Sequence, residues 1–568
     1  MRKKNATRRE FLLSGGATLT SVIASSPLLA SAAFSDSSVD AGLRGADPIA
    51  GPKRLRGLMI DAARVPEELE YYKRVIEFCA DWEFNALHFR LADDQGSAMR
   101  FASVPGLLLH PHAFAPEELK DLVTFAQKHG VDLIPELEAF GHTGYITRSP
   151  QFAHLLDDEP SGSSEFTGVI PVASETLELF KKLFGEVASV FPSVYLHGGC
   201  DEVNWGGSEL SRKALTKKDR AQIWAEYLNS LNQVAVGLGK QFIVWGDFVL
   251  HKEPKILPQL NKNILIMDWN YRDTDTAKIQ QTLALIQTNG SRGIGAPGLI
   301  SYRWGPRPGT EQLGNIGAFA DVYLAAENPG SLGAILTNWV PSRYLQNSIW
   351  DGFAYAAVAF TQGSAIAADM AFRRFVEKHY GAEWNDLWKE AFHLTYDAAP
   401  QVKGWETASG SPPLRAPWSS DEEFAAVLKD RTPRKVPFAQ IRNLLERLKP
   451  TVRRNQADFE AFALSAQYLE QVFWRDESAI ECSNRNPLTE DDAGKVARSI
   501  ADRDHAMAEA LTRDWDRGRF ADSPAKSSPL FGFQPKDQLL FRWGQAASYS
   551  ASLATNPRRF YQLVKSSA

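Results

Sequence analysis

Asp201 and Glu202 stand side by side after a short apolar run, Ser193-Val194-Tyr195-Leu196, and the turn His197-Gly198-Gly199-Cys200. Val194 and Leu196 alternate with Tyr195 as strand residues do, and the glycine pair lets the chain turn where side chains would block it. Two neighbouring acids repel one another, and a fold seldom places such a pair at a strand's C-terminal end without use. The chemistry on offer is that of carboxylates. The other reading of the same residues is an exposed, solvated acidic turn.

The elements that would position this pair repeat along the chain. Apolar runs at 55–61, 86–91, 132–137, 193–199, 241–247, 263–269, 293–300 and 333–340 read as strands. Helical patterns such as 66–82, 116–129, 175–191 and 217–238 fall between them. Pro66 and Pro116 stand near helix starts, and Gly130 and Gly239 where helices end. Eight strand–helix units predict an α/β fold, a (β/α)8 TIM barrel over 54–365. A doubly wound open sheet is the alternative. The count of eight, with no glycine-rich dinucleotide fingerprint after the first strand, favours the barrel. From 366 to 568 the patterns at 371–380, 385–399, 438–448 and 451–475 predict a mostly helical C-terminal domain, with Trp384 and Trp388 as core residues.

In such a barrel the reactive groups stand at the C-terminal ends of the strands. There the sequence offers Asp61 and Arg64; Asp93, Asp94 and Gln95; Glu136, Glu138 and His142; His197, Asp201 and Glu202; Trp245 and Asp247; Trp269 and Tyr271; Tyr302 and Trp304; and Trp339. Carboxylates, an arginine and a set of tryptophans on one mouth suit a sugar held against aromatic walls. The sequence has no phosphate-binding Gly-Lys loop, no His-Glu-x-x-His and no serine elbow, and the ligand spacing suggests no metal or other cofactor.

Composition narrows the partners. A formal net charge of −5 over 568 residues argues against a basic nucleic-acid binder. Cys79, Cys200 and Cys482 are far apart and imply neither a disulfide framework nor a zinc site; Cys79 reads as core. The N-terminus, with Arg8-Arg9, Phe11 and Leu12 ahead of a weakly apolar run and Ala30-Ser31-Ala32, resembles a twin-arginine export signal over 1–33, followed by a linker at 34–53. Export to the periplasm or beyond is the expectation, with no membrane span in the mature chain.

From about residue 54 the first 340 residues resemble the catalytic barrel of family 20 glycoside hydrolases, the β-N-acetylhexosaminidases. His197-Gly198-Gly199-Cys200-Asp201-Glu202 is similar to that family's His-x-Gly-Gly-Asp-Glu. The stretch Arg56 to Arg64 resembles its Arg-Gly-Leu-x-Leu-Asp-x-x-Arg. Asn85 to Phe89 with Asp93-Asp94-Gln95 resembles its second-strand motif, and Pro135-Glu136-Leu137-Glu138 with Gly141-His142 its third. The resemblance implies exo-action with retention on β-linked GlcNAc or GalNAc of an oligosaccharide or glycoconjugate. The substrate's own acetamide oxygen would attack the anomeric carbon and form an oxazolinium. Glu202 would be the general acid and then the base; Asp201 would stay ionised and hold the acetamide N–H. His142, oriented by Asp93, would assist Glu202. Arg64 and Asp247 would bind the sugar, Trp245, Trp269 and Trp339 would wall it, and Tyr302, with Tyr271 behind it, would hold the acetamide oxygen. The chain departs from the family where the last strand runs Trp339-Val340-Pro341 instead of Trp-Gly-Glu. It also has no room before the barrel for the α/β domain that many members carry. Two rivals remain at this point: a glycan-binding barrel without turnover, and a retaining glycosidase using Glu202 with Glu138 or Asp247.

Overall fold

A computed structural model describes residues 54–157, 168–300, 307–365, 368–398, 416–429, 438–533 and 538–566. The expected export signal and linker, and the side chains of Tyr302 and Trp304, lie outside the described residues.

Eight parallel strands close on themselves. In chain order they are β1 (Leu55–Asp61), β2 (Ala86–Asp93), β5 (Asp132–Leu137), β6 (Tyr195–His197), β7 (Gln241–Trp245), β8 (Leu265–Trp269), β9 (Arg292–Ala296) and β11 (Ser331–Asn338), and β11 pairs back to β1. The register places Ile60 beside Phe89, Phe89 beside Pro135, and Glu136 beside His197. Two short strands, β3 (Gly96–Met99) and β4 (Leu109–Phe114), extend the sheet from β2, and β10 (Gly298–Ile300) pairs with β11. The fold is a (β/α)8 barrel, and β2 and β11 are buried along their whole length as barrel staves must be.

The strand positions follow the apolar runs; the differences have local causes. β6 stops at His197 because Gly199 turns into the left-handed region at φ 63° and donates its N–H to His197 Nδ1 at 2.9 Å. The run 293–300 is broken at Pro297, which has no N–H for the ladder. The first helix is Leu69–Asp81 and leaves Pro66 in the preceding loop, where Arg64 and Glu67 are held by side-chain contacts. The helix Arg220–Gly237 starts at a capping box: Asp219 accepts from Gln222 N at 2.8 Å, and Gln222 accepts from Asp219 N at 3.1 Å. After β7 a π-helical turn, Asp247–Lys252, stands directly behind the acid pair.

The later part of the chain is helical among the described residues. Gln456–Ser483, Glu490–Trp515 and Leu539–Thr555 are its longest members, and Trp418, Phe424, Cys482, Ile500 and Phe560 are buried together. Leu55 to Ala568 forms one compact unit. Arg74, on the first barrel helix, makes two bonds to Asp458, at 2.8 and 3.0 Å. No helix among the described residues is long and apolar enough to cross a membrane.

Candidate active site

The site is built around an arginine that sequence reasoning missed. Arg90 points inward from β2 and is fully buried. It donates to Glu138 at 2.6 Å, pairs with Asp93, and lies 3.4 Å from Glu136 and 3.6 Å from Asp61. Arg64 reaches the same acids, Asp61 at 2.9 Å and Asp93 at 3.0 Å. Buried charges survive only when paired, and here two guanidinium groups neutralise part of a four-carboxylate cluster. Burial alone would raise Asp93; Arg64, Arg90 and His142 overcome it and hold the carboxyl at about 2.

The turn after β6 is fastened to that cluster. Cys200 N donates to Glu138 Oε2 at 3.1 Å, and Glu202 N donates to Asp247 Oδ2 at 3.2 Å. Asp247 also pairs with Lys252 at 2.7 Å. Cys200 and Glu202 have φ of 73° and 44°, and His142 has 50°. Non-glycine residues adopt this region at a cost of roughly 1–3 kcal/mol each, and such strain gathers at functional sites. Gly199 is required here: a Cβ would sit 1.8 Å from Glu138 Oε2. Gly141 is required for a similar reason, since a Cβ would lie 2.0 Å from the carbonyl oxygen of Asp201.

His142 meets the acid pair from the loop after β5. Its Nε2 is 3.4 Å from Glu202 and 3.8 Å from Asp201. The expected anchor, Asp93, is 3.7 Å from Nδ1 and engaged with the two arginines; Asp94 is nearer, accepting from Nδ1 at 3.2 Å. Asp94 is held in turn by Gly144 N, which donates to Oδ1 at 2.9 Å. Burial would lower His142, but Asp93, Asp201 and its hydrogen bonds to Asp94 and Glu202 more than reverse this, so the imidazolium is favoured. Burial raises Asp201 to about 6, with His142 pulling it down and Asp247 and Glu202 pushing it up. Asp201 Oδ1 is buried with no hydrogen-bond partner among the described residues.

Residues 54–294, which hold this acid pair, match the sequence profile of Glycosyl hydrolase family 20, catalytic domain. The chain carries a family 20 catalytic domain. It is similar to the beta-hexosaminidase subunit alpha of Bos taurus, 27% identical over 269 residues that make up 44% of this chain and 49% of that one. It is also similar to the beta-hexosaminidase of Vibrio furnissii, 25% identical over 248 residues, 38% of this chain and 40% of that one. The chain thus spans about half the length, or less, of these curated relatives. Among solved structures, a chitobiase from Flavobacterium johnsoniae aligns with a TM-score of 0.47 and 16% identity, covering 81% of this chain and 77% of that one.

The aromatic residues of the family 20 domain gather around Trp339, which stands against both arginines. Trp245 is buried, donates its indole N–H to Glu136 at 2.8 Å, and lies 4.6 Å from the His197 ring and 5.5 Å from that of Trp339. Trp339 donates to the Tyr271 hydroxyl at 2.7 Å, and its ring lies 5.3 Å from both Arg64 and Arg90. Trp269 stacks on Tyr271 at 5.1 Å. Tyr302, the tyrosine expected to hold the acetamide oxygen, lies outside the described residues.

Three groupings place donor atoms within 4.8 Å of one another: His88, Glu136 and His197; Asp93, Asp94 and His142; and His142, Asp201 and Glu202. In the two that use His142, its ring nitrogens already face Asp94 at 3.2 Å and Glu202 at 3.4 Å. In the first, His197 Nδ1 already accepts from Gly199, and Glu136 accepts from Trp245 and meets His88 at 2.8 Å.

Proposed function

We propose that the family 20 domain is an exo-acting β-N-acetylhexosaminidase. It removes terminal β-linked GlcNAc or GalNAc from an oligosaccharide or glycoconjugate with retention, through the substrate's acetamide. The observation that carries this reading is the placement of Asp201 and Glu202. Glu202 faces the His142 imidazolium at 3.4 Å, while Asp201 keeps one buried oxygen without a partner.

In the first step the acetamide oxygen bonds to the anomeric carbon, the bond to the leaving oxygen breaks, and Glu202 gives that oxygen its proton. Asp201, ionised above about pH 6, accepts the acetamide N–H and balances the positive charge that develops on the oxazolinium. In the second step the oxygen of water bonds to the anomeric carbon as Glu202 takes its proton, the bond from that carbon to the acetamide oxygen breaks, and the sugar leaves with its original configuration. Arg64 binds ring hydroxyls with the N–H groups that Asp61 and Asp93 leave available. Trp269 and Trp339 supply the aromatic surface; Trp245, expected to wall the sugar, is buried beside Trp339 with its indole on Glu136 and backs the site instead. Tyr302 takes the acetamide oxygen, and Asp247 braces the Glu202 backbone.

Acetamide participation is favoured over a protein nucleophile because Glu138 is committed elsewhere. It is fully buried, and its two oxygens accept from Arg90 and from Cys200 N. Chromogenic β-GlcNAc, β-GalNAc and β-glucoside test the reading together. Hydrolysis of the acetamido sugars with little of the plain glucoside is expected, and a thiazoline analogue should bind tightly; a glucoside rate equal to the others would overturn it. For residues 1–33 we propose twin-arginine export to the periplasm or beyond, tested by replacing Arg8 and Arg9 with lysine and following where the chain accumulates.

A further inference from the structure

The segment after the helix Glu490–Trp515 runs against the loops that carry the proposed sugar-binding groups. Arg519 is fully buried there. It donates to the carbonyls of Pro341 at 2.8 Å and Tyr344 at 3.1 Å, just beyond Trp339, and to Gln346 at 3.1 Å. It also pairs with Glu67 at 3.1 Å, three residues after Arg64. Further along, Phe531 accepts at its carbonyl from Gln95 at 2.7 Å, and its ring lies 3.9 Å from the Arg148 guanidinium. Phe533 lies 5.5 Å from the Arg64 guanidinium and 5.2 Å from that of Arg343. One arginine thus ties together the loop of Arg64 and the loop of Trp339, and one ring packs on Arg64 itself.

We infer that this C-terminal segment is part of the glycan site, with Phe533 as the positioning residue that fixes the plane of the Arg64 guanidinium and Arg519 as the one that joins the loop of Arg64 to the loop of Trp339. The inference rests on the family 20 reading of Arg64 as the group that binds ring hydroxyls. Three restraints converge on that guanidinium: the carboxylates of Asp61 and Asp93, the ring of Trp339 and the ring of Phe533. A guanidinium is directional, so its orientation decides which hydroxyls it meets. Hydroxyls remote from the anomeric carbon are held equally in ground and transition states. Loosening their partner therefore raises KM and leaves kcat nearly alone.

The test uses the full chain. Phe533→Leu keeps an apolar side chain and removes the ring; Phe533→Tyr keeps the ring. For chromogenic β-GlcNAc, F533L is expected to raise KM by about three- to tenfold, the scale of a partly buried cation–π contact, with kcat changed by less than about twofold. F533Y restores KM towards the parent value, because its ring offers the Arg64 guanidinium the same face. Arg519→Lys, which keeps the charge and loses the fork, gives the same split. If F533L does not fold, F533M takes its place. A parent enzyme that cleaves the substrate while both Phe533 variants keep its KM overturns the inference and leaves the proposed function standing. A parent chain that binds GlcNAc without cleaving it moves the comparison to Kd, where the same loss is expected. A parent chain that neither cleaves nor binds overturns both.

Discussion

His142 Nε2 stands 3.4 Å from Glu202 Oε2. Its other ring nitrogen donates to Asp94, not to Asp93, so the two adjacent acids at the end of β2 divide the work. Asp93 neutralises Arg64 and Arg90; Asp94 sets the direction of the imidazole that faces the proposed acid. Asp94→Asn should therefore lower kcat by at least about tenfold with little change in KM, as happens when the carboxylate orienting a catalytic histidine is removed. Steady-state kinetics on β-GlcNAc decide this; an unaltered kcat would mean that the imidazole needs no anchor.

Glu202→Gln removes the only proton that the proposed first step can give to the leaving group. A kcat loss of about 10²–10⁴-fold is expected on an ordinary aryl glycoside. The loss should shrink on a dinitrophenyl glycoside, whose leaving oxygen needs no proton. A similar loss on both substrates would assign Glu202 a structural role.

The pH profile should carry the signature of Asp201. Its carboxyl is raised from 3.8 to about 6 by burial, and the proposed mechanism needs the ionised form. Accordingly kcat/KM should fall as pH drops through about 6, since that ratio reports the free enzyme's groups. Stability runs the other way. A folded-state carboxyl with a raised pKa binds its proton more tightly than the unfolded chain, so its contribution is fullest below about 4 and is lost as pH rises through 6. Measuring rate and unfolding free energy over the same pH range separates the two. An acidic limb close to 4 would deny Asp201 this part.

Gly199→Ala should damage both stability and turnover. The added methyl would overlap Glu138 Oε2, on a residue already at φ 63°. Left-handed backbone at a residue with a side chain costs about 1–3 kcal/mol, and moving Glu138 would also free the Cys200 N–H that it holds. Urea unfolding reads the first effect and kcat the second. A variant with the parent's stability would place the turn's rigidity elsewhere.

The barrel was legible because its staves are buried on both faces, which leaves continuous apolar runs in the sequence, and because Gly130 and Gly239 mark helix ends at φ 73° each. The acid pair was legible because it follows such a run directly. Arg90 was not: an arginine between Phe89 and Leu91 reads as the outward residue of an alternating strand, and only the register of β1, β2 and β5 brings Asp61, Glu136 and Glu138 around it. A signal was present in the acids on three neighbouring strands, which need an inward cation. The division between Asp93 and Asp94 depends on about an ångström of side-chain placement that no spacing encodes. Arg519 and Phe533 lie far along the chain from Arg64 and have no local pattern that ties them to it.

Asp93→Asn tests the arginine cluster. Removing this carboxylate leaves Arg64 and Arg90 short of a buried partner, and breaking a buried pair in this way costs about 3–5 kcal/mol. The carboxyl is depressed to about 2 despite its burial, so its stabilisation is complete above the ordinary value of 3.8 and is lost as pH falls through 2. The parent should exceed the variant in urea unfolding free energy at neutral pH, and the gap should narrow by about 2 kcal/mol as pH falls from about 4 towards 2. Asparagine does not titrate, so the narrowing belongs to Asp93. A gap that is absent at neutral pH, or constant down to acid, would show that the two guanidinium groups are satisfied by Asp61, Glu136 and Glu138 alone.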